Sequence, residues 1–90
     1  MNNRRRKDIT EISDKIAALA DILNEYMADV ESIKEEEEEY FDNMPESLQG
    51  GEKGSAAEEA VDALEEACSA LVQMIDSLDE VTSGLEAASQ

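Results

Sequence analysis

The stretch ITEISDKIAALADILNEYMADVESI, Ile9 to Ile33, decides the fold. Its apolar residues Ile9, Ile12, Ile16, Leu19, Leu23, Tyr26, Val30 and Ile33 are spaced alternately 3 and 4 apart without a slip. That is the heptad pattern of a helix with one apolar stripe. With Ile9 at position a, the a set is Ile9, Ile16, Leu23 and Val30, and the d set is Ile12, Leu19, Tyr26 and Ile33. These two sets form the expected core, with Ala20, Ile22 and Met27 widening it in the middle.

Working outward, the pattern predicts a first helix over residues 8–40. The five carboxylates Glu35, Glu36, Glu37, Glu38 and Glu39 carry it past the stripe. Acids at the C-terminal end, and Arg4 to Lys7 at the N-terminal end, both oppose the helix dipole. A turn is expected over residues 41–54. Pro45 disfavours helix at Met44, and Gly50, Gly51 and Gly54 let the chain reverse. One helical turn within residues 45–49 would bring Tyr40, Phe41, Met44 and Leu48 over the end of the core. A second helix is expected over residues 55–88, opened by a capping box with Ser55 as N-cap and Glu58 at the third position. Its stripe is Ala57, Val61, Leu64, Cys68, Leu71, Ile75, Leu78, Thr82 and Leu85, and a second row, Ala60, Ala67, Met74, Val81 and Ala88, recurs every seven residues.

The fold class is therefore all-α: one domain over residues 1–90, an antiparallel, coiled-coil-like two-helix hairpin. A hairpin covers one stripe on each helix and leaves the second row over. Dimerisation into a four-helix bundle would cover it, and so would a different partner.

Composition bounds what such a chain does. It sets 24 acids against 7 bases, a net charge of −17. Four of the bases are Arg4, Arg5, Arg6 and Lys7, so the rest of the chain carries all 24 acids and only 3 bases. Such a field repels nucleic acid and anionic membranes and attracts basic surfaces; it also keeps a small protein soluble. No apolar run approaches a membrane span or a signal peptide, and a single cysteine forms no disulfide within the chain. Together these point to the cytoplasm.

No catalytic or cofactor chemistry is legible. The chain has no histidine, which removes zinc sites, di-iron bundle sites and every nucleophile–histidine pair. There is no calcium loop, no phosphate-binding loop and no nucleophile elbow. Carboxylate pairs serve glycoside hydrolysis only inside a shaped cleft. Cys68 has no base beside it in sequence and falls on the apolar stripe, where a cysteine acts as a small hydrophobe. No enzyme, no metal and no cofactor is the expectation.

Contacts with a partner are the remaining chemistry. The candidates are the run Glu35 to Glu39, the uncharged tip Asn43, Met44, Pro45 and Leu48, the acids Glu58, Glu59, Asp62, Glu65 and Glu66, and the charge-free segment around Val72 and Met74. Each has a plainer reading as solvated charge, turn capping or bundle core. Carboxylates spaced along a rod imitate the charges of a nucleic-acid duplex, the physics used by DNA-mimic inhibitors.

The segment Glu39-Tyr40-Phe41-Asp42-Asn43-Met44-Pro45-Glu46-Ser47-Leu48-Gln49 between two acidic amphipathic helices resembles the turn of a group of small acidic proteins encoded by phages and prophages. The likeness runs from Arg4 to Ala87. It is specific in the turn and generic in the helices, and it implies a genomic setting rather than a mechanism. In that setting the expectation is an anti-defence-like phage protein, acting in the host cytoplasm, that binds and inhibits or redirects a host protein by occupying a basic nucleic-acid-binding surface. The alternative is a self-assembling structural or scaffolding module with no host target. Either way the chain is expected to self-associate as a homodimer, and to bind neither nucleic acid nor membrane.

Overall fold

The computed structural model describes all 90 residues, Met1–Gln90. It is all-helical, with α1 over Asn3–Asp42, α2 over Glu46–Gln49 and α3 over Glu52–Ala88. No helix is long and apolar enough to cross a membrane. The chain divides into two compact units: Met1–Glu25 with Leu71–Gln90, and Tyr26–Ala70. In each, a part of α1 packs against a part of α3, the relation of a helical hairpin.

In the first unit the covered residues of α1 are Ile9, Ser13, Ile16, Ala20 and Leu23. Those of α3 are Leu71, Ile75, Leu78, Thr82 and Leu85, with Ser89 just past its end. In the second unit Met27, Val30, Lys34, Glu37 and Phe41 of α1 face Gly54, Ala57, Val61, Leu64 and Cys68 of α3. The α3 stripe is the one that the heptad pattern predicts. The α1 stripe is not. It keeps the a set but combines it with the e positions, while the d set lies outside: Ile12, Leu19, Tyr26 and Ile33 are 49, 47, 56 and 53% exposed.

The reason lies in the heptad itself and in the turn. A residue at a is flanked at alternate spacings of 3 and 4 by both d and e, so one a row belongs to two possible seams. Ranking by hydrophobicity selects a with d. Beside the turn, however, Phe41 at e is half-buried and Tyr40 at d is 51% exposed. In the second unit the e row, Met27, Lys34 and Phe41, is accordingly turned toward α3. In the first unit that row is Ser13 and Ala20, whose small side chains let the two helices approach closely. Ala20 is among only three buried hydrophobic residues, with Ala57 and Cys68. Ser13 Oγ is enclosed there without a hydrogen-bond partner.

A paired substitution separates the two seams. Leu71→Ala removes a seam contact and should cost about 1–2 kcal/mol, less than the full-burial value because Leu71 is half-buried. Leu19→Ala should cost under about 0.5 kcal/mol where the chain is dilute and monomeric. Urea unfolding followed by circular dichroism measures both. Equal losses would restore the a/d seam.

The helix ends also differ from expectation. The first helix starts at Asn3 instead of residue 8, because Asn2 caps it: Arg5 N–H donates to Asn2 Oδ1 at 2.8 Å. The expected turn over residues 41–54 shrinks to two short breaks around α2. Ser55 is not an N-cap; its N–H already donates to Gly51 O at 3.0 Å, inside α3. No glycine adopts a positive φ. What Gly54 supplies is space, since a Cβ there would overlap the carbonyl of Gln49. The helical turn expected after Pro45 is present, and Gln49 ties it down by donating Nε2–H to the Phe41 carbonyl at 3.0 Å. Of the four residues expected to close the core, Phe41 and Met44 are half-buried, while Tyr40 and Leu48 stay exposed.

Candidate protein-interaction surfaces

Heptad position sorts the charges of α3. With Ala57 and Leu64 starting successive heptads, every acid from Glu58 to Glu86 falls on the second, third or sixth position, outside the seam formed by the first and fifth. In the second unit Glu58, Glu59, Asp62, Glu65 and Glu66 are all exposed, and in the first so are Asp76, Asp79, Glu80 and Glu86. On α1, Glu35, Glu36, Glu38 and Glu39 are exposed, whereas Glu37 turns half-buried toward α3. The run is nearly uncompensated: Lys34 Nζ reaches Glu38 Oε1 at 3.8 Å, and no other base meets it.

The second unit brings part of this charge together. A cavity of about 400 Å³ is lined by Glu38, Phe41, Asp42, Glu58, Val61 and Asp62. Four carboxylates thus surround two apolar side chains. That is the chemistry of a seat for a basic side chain: the stem of a lysine or arginine would lie on Phe41 and Val61 while its cation meets the acids. Phe41, Asp42 and Val61 were absent from the expected contact residues. Their signal was legible only once residues 38–42 and 58–62 were known to lie side by side.

At the tip, Asn43 and Pro45 are exposed, Leu48 is 46% exposed and Met44 is half-buried. The uncharged knob is therefore smaller than its four residues suggest. The charge-free segment of α3 is divided as well. Leu71 and Ile75 face the seam, and Val72 and Met74, 44 and 52% exposed, leave on its two opposite flanks.

The surface that the sequence placed inside is the exposed apolar row of α1. In the first unit Ile12, Leu19 and Ile22 are exposed, and in the second Tyr26, Ile33 and Tyr40. Met74 and Val81 of α3 follow seam residues Leu71 and Leu78 by three positions, as Ile12 and Leu19 follow Ile9 and Ile16. In an antiparallel pair the same offset on both helices lies on the same flank, so in the first unit these residues share one face.

No protein-family model, curated protein or solved structure matches the chain. Fold and surface together define its class, a strongly acidic helical hairpin with both a carboxylate-lined cavity and an uncovered apolar row.

Proposed function

We propose that this chain is a protein-interaction module that self-associates as a homodimer and binds a partner protein through a basic surface. In the phage setting that its turn suggests, the partner is a host protein and the outcome is inhibition or redirection, in the manner of a DNA mimic. The observation that carries this reading is the cavity where Glu38, Asp42, Glu58 and Asp62 converge on Phe41 and Val61. The net charge of −17 steers a basic partner inward and raises its association rate by about 10–1,000-fold. A lysine or arginine of the partner then enters the cavity, and the acids of α3 meet the charges around it. Electrostatics of this kind governs encounter and selectivity more than final affinity. The exposed apolar row favours a second reading, the self-assembling structural module, in which that row is consumed between copies and no other partner exists.

The test is capture from nuclease-treated bacterial lysate with the tagged chain, repeated with the double variant Glu58→Lys, Asp62→Lys. The expected result is one dominant nucleic-acid-binding protein, released by salt, competed by duplex DNA and associating at least 10-fold more slowly with the variant. Recovery of the chain's own copies alone, or a partner indifferent to salt and to the variant, would overturn the proposal.

A further inference from the structure

We infer that the cavity of the second unit takes a doubly charged ligand, an aliphatic diamine, with one ammonium at each end and the methylene stem on Phe41 and Val61. The inference rests on the cation seat proposed above and fixes the number and spacing of the cations.

The cavity is built twice from one pattern. With α1 counted in heptads from Ile9, Glu38, Phe41 and Asp42 fall at the second, fifth and sixth positions. With α3 counted from Ala57, Glu58, Val61 and Asp62 fall at the same three. The local sequences are EEYFD and EEAVD. No other segment of the two helices combines an apolar fifth position with acids at the second and sixth. Both occurrences lie in the second unit, and both line one cavity. The fifth position turns Phe41 and Val61 toward the seam, where each is half-buried, while the four acids stay exposed.

Chain direction then pairs the acids. The two helices of a hairpin run in opposite senses, so Glu38 shares the end away from the turn with Asp62, and Asp42 shares the end beside the turn with Glu58. On each helix the two acids stand four residues apart, about 6 Å along the axis. No three acids gather closely enough to hold a metal ion. The charge is set out instead as two pairs with apolar surface between them.

That layout selects the ligand. A single lysine or arginine side chain brings one cation and leaves the other pair without a counter-charge. A four-carbon diamine has five bonds of about 1.5 Å between its nitrogens and spans about 6 Å in its extended zigzag, the spacing of the two ends. Its stem lies on Phe41 and Val61, as the stem of a lysine covers apolar surface. The wall already meets one primary ammonium: Lys34 Nζ stands 3.8 Å from Glu38 Oε1. Asp42, Glu58 and Asp62 pair with no base of the chain.

The test is a titration of the full chain at about 0.15 M salt, followed by amide and methyl NMR at Phe41 and Val61. Putrescine, the four-carbon diamine, is compared with butylamine, which has the same stem and one charge, and with magnesium ion, which has two charges and no stem. Putrescine should shift both residues and bind about 10-fold more tightly than butylamine, and magnesium should leave the Val61 methyls unmoved. Two double variants each neutralise one end, Glu38→Gln with Asp62→Asn and Asp42→Asn with Glu58→Gln. Either should bring putrescine down to the affinity of butylamine. Asp76→Asn with Asp79→Asn removes as much charge from the first unit and should change the affinity less than about 2-fold. Butylamine binding as tightly as putrescine would overturn the diamine and leave the single-cation seat standing. Magnesium matching putrescine at Val61, or an equal loss from the first-unit variant, would also overturn it, since charge alone would then account for the binding. Shifts at neither residue with either amine would overturn the cation seat itself.

Discussion

Replacing Gly54 by alanine should lower the stability of the chain by about 3 kcal/mol and its Tm by about 10–20 °C. The direction runs against propensity, since alanine favours a helix over glycine by about 1 kcal/mol and Gly54 lies inside α3. The added methyl would occupy the space of the Gln49 carbonyl. The obstruction is backbone, not the tip of a mobile side chain. Either α2 lifts away from α3 and loses the bond from Gln49 to the Phe41 carbonyl, or α3 frays back to begin after residue 54. Gly84, also within α3, has nothing within 4 Å of where its Cβ would stand. Gly84→Ala should therefore raise stability by about 0.5–1 kcal/mol. Thermal unfolding at one protein concentration compares the pair, and effects of the same sign would contradict the close approach at Gln49.

Enlarging Ala57 should have the next largest effect. By pattern alone, Ala57 is a weak member of an apolar stripe, and leucine there should improve the core. Yet Ala57 is 1% exposed, the most enclosed of the buried hydrophobic residues, and it sits one turn from Gly54. A side chain enclosed to this degree leaves its neighbours to absorb three further carbons, so Ala57→Leu should force the helices apart beside the turn and cost about 1–3 kcal/mol. The same separation would open the cavity formed by Phe41 and Val61 with their four acids. Urea unfolding gives the stability, and a gain would show that the helices are not in close contact there.

These two positions show where the sequence is legible and where it stops. The 3–4 alternation from Ile9 to Ile33 and from Ala57 to Leu85 is enough to read two amphipathic helices, and Pro45 with the glycines is enough to place the reversal between them. The α3 stripe is unambiguous because its competing row, Ala60, Ala67, Met74, Val81 and Ala88, is mostly small. On α1 both flanking rows hold apolar side chains, and hydrophobicity favours the wrong one. In the second unit the seam is fixed by packing beside the turn, through Phe41, Gln49 and Gly54, and no periodicity encodes that. Helix starts fail for a related reason. Asn2 as a cap and Gly54 as a contact depend on which backbone atoms lie nearby. Of the candidate contacts, the acids were readable as exposed from their heptad positions alone. Their convergence was not, because Glu38 and Glu58 meet only across the seam.

The division of α1 into a seam row and an outward row is tested most directly by isotope-filtered methyl NOE spectroscopy on a mixture of labelled and unlabelled chains. The arrangement described here requires Ile9, Ile16 and Leu23 to show cross-peaks to Leu71, Ile75, Leu78 and Leu85 within one chain, and Ile12 and Leu19 to show none to Leu78 or Leu85 within that chain. Cross-peaks from Ile12 and Leu19 to Leu78 and Leu85 inside a single chain would contradict it and return the d row to the core.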